Sequence, residues 1–280
     1  MTRLDTGVAP PAATSRRPAH TARVPLPLLL PALLGLVFLI LPVVGLLARV
    51  PWATLPQRLT SSEVLDALRL SVLTATLATL GCLVLGVPLA WMLARVTFPG
   101  RRFVRALITV PLVLPPVVGG IALLLALGRR GLVGQWLDTN FGFTLPFTTA
   151  GVVVAESFVA LPFLVISVEG ALRGADARYE EAAATLGASR WTTFTHVTLP
   201  LVGPGIAAGA VLCWARALGE FGATITFAGN FPGITQTMPL AVYQTMESGD
   251  LEGAVVLSLI LLVVSITVLA ALRDRWLTAP

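Results

Sequence analysis

Six apolar stretches constrain this chain more than any other feature of it. A helix rises about 1.5 Å per residue, so roughly 20 apolar residues cross the ~30 Å hydrocarbon core of a bilayer. Stretches of that size run over residues 26–48, 70–94, 106–128, 148–168, 199–220 and 253–272. Hydrophobic residues make up 56% of the 280, charged residues only 12%, and the mean hydropathy is +0.87. A water-soluble domain of this size cannot bury so much apolar surface, so the surrounding solvent is lipid. The reading is an all-α integral membrane protein of six transmembrane helices occupying residues 24–275. Residues 1–23, rich in Ala, Pro, Thr and Arg, are expected to form a disordered tail. Ser15-Arg16-Arg17 ahead of an apolar run resembles a secretion signal. The run is too long for a signal core and no small-residue cleavage site follows, so a retained span is expected.

Charge placement sets the expected orientation. All 19 basic residues are arginines. Thirteen fall in the N-terminal tail, the second and fourth connections and the C-terminal tail: Arg3, Arg16, Arg17, Arg23, Arg95, Arg101, Arg102, Arg105, Arg173, Arg178, Arg190, Arg273 and Arg275. The opposite side has at most five, Arg49, Arg58, Arg69, Arg129 and Arg130, while Arg216 lies within a span. The positive-inside rule puts both termini in the cytoplasm, as an even number of spans requires. This clustering between apolar runs reads as membrane orientation and not as a nucleic-acid surface. With no lysine, a Walker A phosphate loop is impossible, so any ATP hydrolysis belongs to another chain. Cys82 and Cys213 sit in apolar runs and read as packing residues, and His20 and His196 lack a metal-ligand pattern. No catalytic residue, metal or cofactor is expected in this chain.

Proline and glycine interrupt several spans: Pro88, then Pro111, Pro115, Pro116, Gly119 and Gly120, then Pro162. In lipid such breaks survive only where neighbouring helices or water satisfy the freed backbone groups. The third span is therefore expected to be kinked and packed inside the bundle. Small residues along the fifth (Gly203, Gly205, Ala207, Ala208, Gly209, Ala210) should allow another helix to approach closely.

The connection over residues 170–198 carries the most specific pattern. Asp176 is placed to cap a helix, Gly187 to end it in a left-handed conformation, and Ser189 to cap a second short helix that Pro200 ends or bends. Tyr179, Ala182, Ala183 and Leu186 recur at three- and four-residue spacing, giving a small apolar face with no core of its own to cover it.

Glu181-Ala182-Ala183, then Gly187, then Val197-Thr198-Leu199-Pro200 resemble the EAA loop of ABC-importer permeases, with Val197 where isoleucine is usual. Two segments, Pro111–Gly120 and Ala217–Asn230, make the chain similar in particular to the molybdate permeases of that family. The resemblance covers roughly Leu26 to Leu272. Sulfate and thiosulfate permeases share Ala217-Leu218-Gly219-Glu220 but usually continue differently, and tungstate is too like molybdate for sequence to separate. The resemblance implies the MetI-like bundle of type I importers and a homodimer with its pathway at the subunit interface. It further implies two cytoplasmic ATPase subunits that bind ATP and Mg, and a molybdate-binding protein outside. In such a permease the loop is a coupling helix seated in the ATPase. Ala182, Ala183 and Gly187 would permit close docking, Glu181 would contact the ATPase, and Leu199-Pro200 would close the motif.

A route for a doubly negative oxyanion should offer donors without trapping the ion. Arg216 and Glu220, at i and i+4 near the far end of the fifth span, either pair with each other or line that route, with Thr224 beyond them. At that depth both charged groups are expected to reach water. Glu156 is alone in the fourth span and no role is assigned to it. The outer segment 221–250, rich in Gly, Thr and Asn, is expected to be exposed and adaptable.

Overall fold

A computed structural model describes residues 26–277, and the tail expected over 1–23 lies outside the described residues. The chain runs through α1 (Leu26–Ala48), α2 (Leu55–Leu59), α3 (Ser62–Arg95), α4 (Arg101–Val113), α5 (Pro116–Leu127), α6 (Gly134–Phe141) and α7 (Thr149–Gly174). It continues through α8 (Arg178–Thr185), α9 (Arg190–Thr193), a π-helical turn (Phe194–Thr198), α10 (Leu199–Leu218), α11 (Gly222–Phe227), α12 (Met238–Glu247) and α13 (Leu251–Leu277). Among the described residues five helices are long and apolar enough to cross a membrane, and the number is six where a bent pair counts as one span. No strand occurs among the described residues. α1 contains Pro31 and Pro42 and exposes its large side chains, Phe38 at 75%, as a helix surrounded by lipid would.

The core of residues 46–277 is built on α3, α7 and α10. Thr74 Oγ1 donates to Glu156 Oε1 at 2.9 Å, Cys82 Sγ to the Ser157 carbonyl at 3.5 Å, and a Cβ on Gly86 would lie 3.0 Å from Leu164. Residue numbers rise together along both helices, so α3 and α7 run parallel. A Cβ on Gly205 would strike Ala171, while one on Gly209 would meet Ser167 at 3.0 Å and Leu164 at 3.1 Å, so α10 runs antiparallel to α7, and Ser167 Oγ donates to the Gly205 carbonyl between them. Gly205 and Gly209 are where the expected close approach occurs; around Gly203 there is open space. Ala75, Ala78, Ala90, Ala160, Leu164, Val168 and Ala217 fill the seam. Small side chains suit such an interface because lipid tails are as apolar as leucine, which leaves van der Waals packing to hold helices together.

Two parallel helices joined in sequence require the segment between them to return across the bundle. α4 and α5 make that return, but not as one kinked span over 106–128. They are two helices whose axes diverge by 119°. Leu114 and Pro115 take extended ψ angles of 128° and 132°. Leu114 precedes a proline, which disfavours the helical region, and Pro116 opens α5, where its missing N–H costs nothing. Other boundaries also shift from expectation: α3 begins at Ser62 and not at 70, and α7 continues to Gly174. Both additions are too polar for a hydropathy reading to include.

The segment 221–250 is only in part the exposed stretch its composition suggested: residues 231–234 and 246–250 are exposed, but the rest is largely packed. Ala223, Thr224, Phe227, Thr235, Met238 and Leu240 are all buried. α11 lies on α5, and α12 packs against α13 and α3. Gly222 serves close contact here, whereas Gly233 and Gly249 supply left-handed turns in open space. A Cβ on Gly222 would come 2.8 Å from Pro116, and one on Gly120 would strike Thr226 Oγ1 and lie 2.8 Å from the Ala223 carbonyl. At the same end Asp250 Oδ1 caps α13 by accepting the Gly253 N–H, and Oδ2 pairs with Arg58 at 2.7 Å. Arg58 first, then the Gly253 amide, hold the Asp250 carboxyl below the usual carboxylate range.

Gly120→Val is predicted to destabilise the detergent-solubilised protein by about 1–3 kcal/mol, the usual cost of overpacking, seen as a lower thermal unfolding midpoint. Gly81→Ala, in open space on α3, should leave the midpoint unchanged or slightly raised.

Candidate functional site

The connection between α7 and α10 folds as its sequence suggested. Asp176 Oδ1 accepts the Arg178 N–H at 3.0 Å, and Glu180 and Glu181 follow in the first turn of α8, where the helix dipole favours acids. α8 ends in a Schellman motif: the Ala188 N–H reaches the Ala183 carbonyl and the Gly187 N–H the Ala184 carbonyl, both at 3.0 Å. That closure needs a left-handed residue, and Gly187 supplies it at φ +83°. Ser189 Oγ caps α9 by accepting the Thr192 N–H at 3.1 Å.

Pro200 neither ends nor bends the helix that follows. The five-residue π turn Phe194–Thr198 widens the backbone just ahead of it, and the Leu199 N–H bonds back to the Phe194 carbonyl. The ring of a proline clashes with the carbonyl four residues earlier. Widening the turn moves that carbonyl away, and the chain runs helically from Arg190 to Leu218.

Glu181 and Ala182 are exposed and Ala183 is half-buried, while Tyr179 is 59% and Leu186 89% exposed. Among the described residues the apolar face is therefore largely bare, and the Glu181 carboxylate has no ion-pair partner. Its neighbour, which sequence reasoning passed over, is the one engaged. The Glu180 carboxylate accepts from Arg95 Nε (3.2 Å), from a second Arg95 nitrogen (3.0 Å) and from Thr198 Oγ1 (3.1 Å). Nearby, Glu169 Oε1 receives Arg105 and Arg173, each at 2.6 Å, tying α4 to the end of α7. Neither cluster was legible, because each joins residues more than 60 positions apart.

Arg216, Glu220 and Thr224 gather at the other end of α10. Arg216 and Glu220 form a 2.6 Å ion pair, and Glu220 Oε1 also accepts the Ala223 N–H at 2.8 Å, capping α11. Glu220 was expected to reach water but is 1% exposed, because α11 folds over the end of the span. Arg216 stays a quarter exposed and faces a niche of about 300 Å³ lined by Pro116, Val117, Gly219 and Phe221. Thr224 is fully buried and its hydroxyl has no partner among the described residues. Glu156 is bonded across helices to Thr74, and its second oxygen is unpaired. The residues of the 170–198 connection and the Arg216 group thus occupy opposite ends of one helix, roughly 30 Å apart along a 20-residue axis.

Glu220→Ala removes a buried pair and an N–H acceptor together, and is predicted to lower stability by about 3 kcal/mol in thermal unfolding. Glu220→Gln retains an acceptor for the Ala223 amide and should lose less.

Comparison with known proteins places this geometry. The model for "Binding-protein-dependent transport system inner membrane component" matches residues 86–278, more than half of the chain. The chain is 50% identical over 246 residues to the molybdenum transport system permease protein ModB of Mycobacterium tuberculosis, covering 88% of this chain and 92% of that one. It is 35% identical over 227 residues to the sulfate transport system permease protein CysT of Escherichia coli, covering 81% and 82%. A chain of a bacterial alginate ABC transporter, solved in complex with its periplasmic protein, superposes with a TM-score of 0.72 at 19% identity, covering 89% of this chain and 92% of that one. A family model matching more than half of the chain and this degree of identity over most of its length make the chain a member of the binding-protein-dependent transport system inner membrane components.

Proposed function

We propose that this chain is the permease subunit of an ATP-driven molybdate importer in the cytoplasmic (inner) membrane. Two copies form the pathway, with both termini cytoplasmic. The observation that carries the substrate is the 50% identity to a molybdenum permease, against 35% to a sulfate permease. In this reading ATP and Mg are bound by two partner ATPase subunits, and this chain holds no cofactor. α8 is the coupling helix, presenting Ala182, Ala183 and Glu181 to a cleft in the ATPase. ATP-driven closure of the ATPases moves the two coupling helices together and rocks the bundle between inward- and outward-open forms. A molybdate-binding protein delivers the anion at the far face, where a cavity of about 580 Å³ is lined by Arg58, Glu63, Gln236, Gln244 and Asp250.

The Arg216 niche suits an anion that must pass and not stay. A bare guanidinium in a low-dielectric site would hold a dianion tightly, whereas one already paired with Glu220 attracts it only moderately. Sulfate, thiosulfate and tungstate share the shape and charge that such a niche sees, so they are the rivals. In cells whose only molybdate permease is this one, molybdate uptake is predicted to be blocked by excess tungstate and barely affected by excess sulfate. Equal inhibition by sulfate would assign the chain to the sulfate permeases instead.

Docking places a demand on Gly187. Open space surrounds its Cα, but a Cβ at φ +83° costs about 1–2 kcal/mol and distorts the Schellman closure. Gly187→Val is predicted to abolish uptake while leaving the amount of membrane-inserted protein unchanged by immunoblot. Normal uptake in that variant would remove the docking role.

A further inference from the structure

We propose that Glu180 is a positioning residue that fastens the coupling helix to α3, so that α3 moves with it. This rests on the coupling role assigned to α8 above. Covalently, α8 is joined only to α7, through Ala175–Ala177, and to α10, through α9 and the π turn. α3 has no chain connection to it. Between α8 and the end of α3 lies a cavity of about 410 Å³, walled by Trp91, Arg95, Glu180, Arg190, Phe194 and Thr198. At its edge Trp91 of α3 meets Phe194 of the π turn edge-to-face, with ring centroids 5.8 Å apart, but that contact does not include α8. The Glu180 carboxylate bridges the space from α8, through its bonds to the last residue of α3 and to Thr198 at the foot of α10.

The geometry favours a firm link. The guanidinium meets the carboxylate through two nitrogens, and both side chains are about one-fifth exposed, so water competes weakly. The residues also complement the helix dipoles. Arg95 stands at the C-terminus of α3 and Glu180 in the first turn of α8, each where its charge is favoured. A displacement of α8 therefore pulls on a strut between two helix ends. α3 in turn forms the largest shared interface of the bundle with α7. With the strut cut, the push from the ATPase reaches α3 only through its side-by-side packing on α7 and α10 and no longer at its Arg95 end, so that end follows α8 less closely and nucleotide is consumed without full opening of the pathway.

The test uses the complete complex, with ATPase and binding protein, in proteoliposomes. It measures molybdate transported per ATP hydrolysed, normalised to assembled complex. Glu180→Gln and Arg95→Gln are each predicted to lower that ratio by about tenfold, the scale set by losing one partly buried charge-assisted bond. The exchanged pair Glu180→Arg with Arg95→Glu should restore most of it. A purely structural role would reduce the quantity of complex but not the ratio. An unchanged ratio in both single variants, or no recovery in the exchanged pair, overturns the proposal. Failure of the unmodified complex to couple ATP to molybdate uptake would instead overturn the function on which it rests.

Discussion

In lipid no water is available to a backbone amide that loses its partner, and this chain has prolines inside α1, α3, α4, α7 and α10. Much of its architecture follows from how those interruptions are accommodated. At Leu114–Pro116 the helix stops and restarts at 119°, and α11 closes over the restart through glycines that let backbone approach backbone. At Pro200 the opposite solution appears: a π turn widens the ladder and the helix continues. One interruption redirects the chain, and the other leaves a rigid rod with a soft base.

Charge inside the bundle obeys the same economy. Glu156 is bonded to Thr74, Glu169 to two arginines, and Glu220 to Arg216 and a backbone amide. Each buried carboxylate joins at least two elements or caps one, so removing a charged partner leaves a stranded charge, which costs more than the pair contributes. α10 carries consequences of this at both ends. Its foot adjoins the 170–198 connection and its head holds the niche of Arg216, joined by 20 residues of helix packed on α7.

Hydropathy made the long apolar helices legible, since lipid imposes a length and a polarity that few other environments do. The caps at Asp176, Gly187 and Ser189 were readable for a related reason: each depends on a residue's own backbone or side-chain chemistry. What escaped was non-local. The burial of Glu220 depends on α11 folding back, and nothing in the composition of 221–250 separates packed threonine and glycine from a solvated loop. Glu180 was overlooked beside Glu181 because its value lies in Arg95 and Thr198, partners 85 and 18 residues away. The sharp break of the third span was foreshadowed by its prolines, but its angle is set by what packs against it.

The account depends on α8 facing the cytoplasm, where an ATPase could seat it. A cysteine placed at Ala182, with Cys82 and Cys213 replaced by alanine, reports this directly through a membrane-impermeant maleimide. The account predicts labelling in inside-out vesicles and none in intact spheroplasts; labelling from the outer face would contradict it.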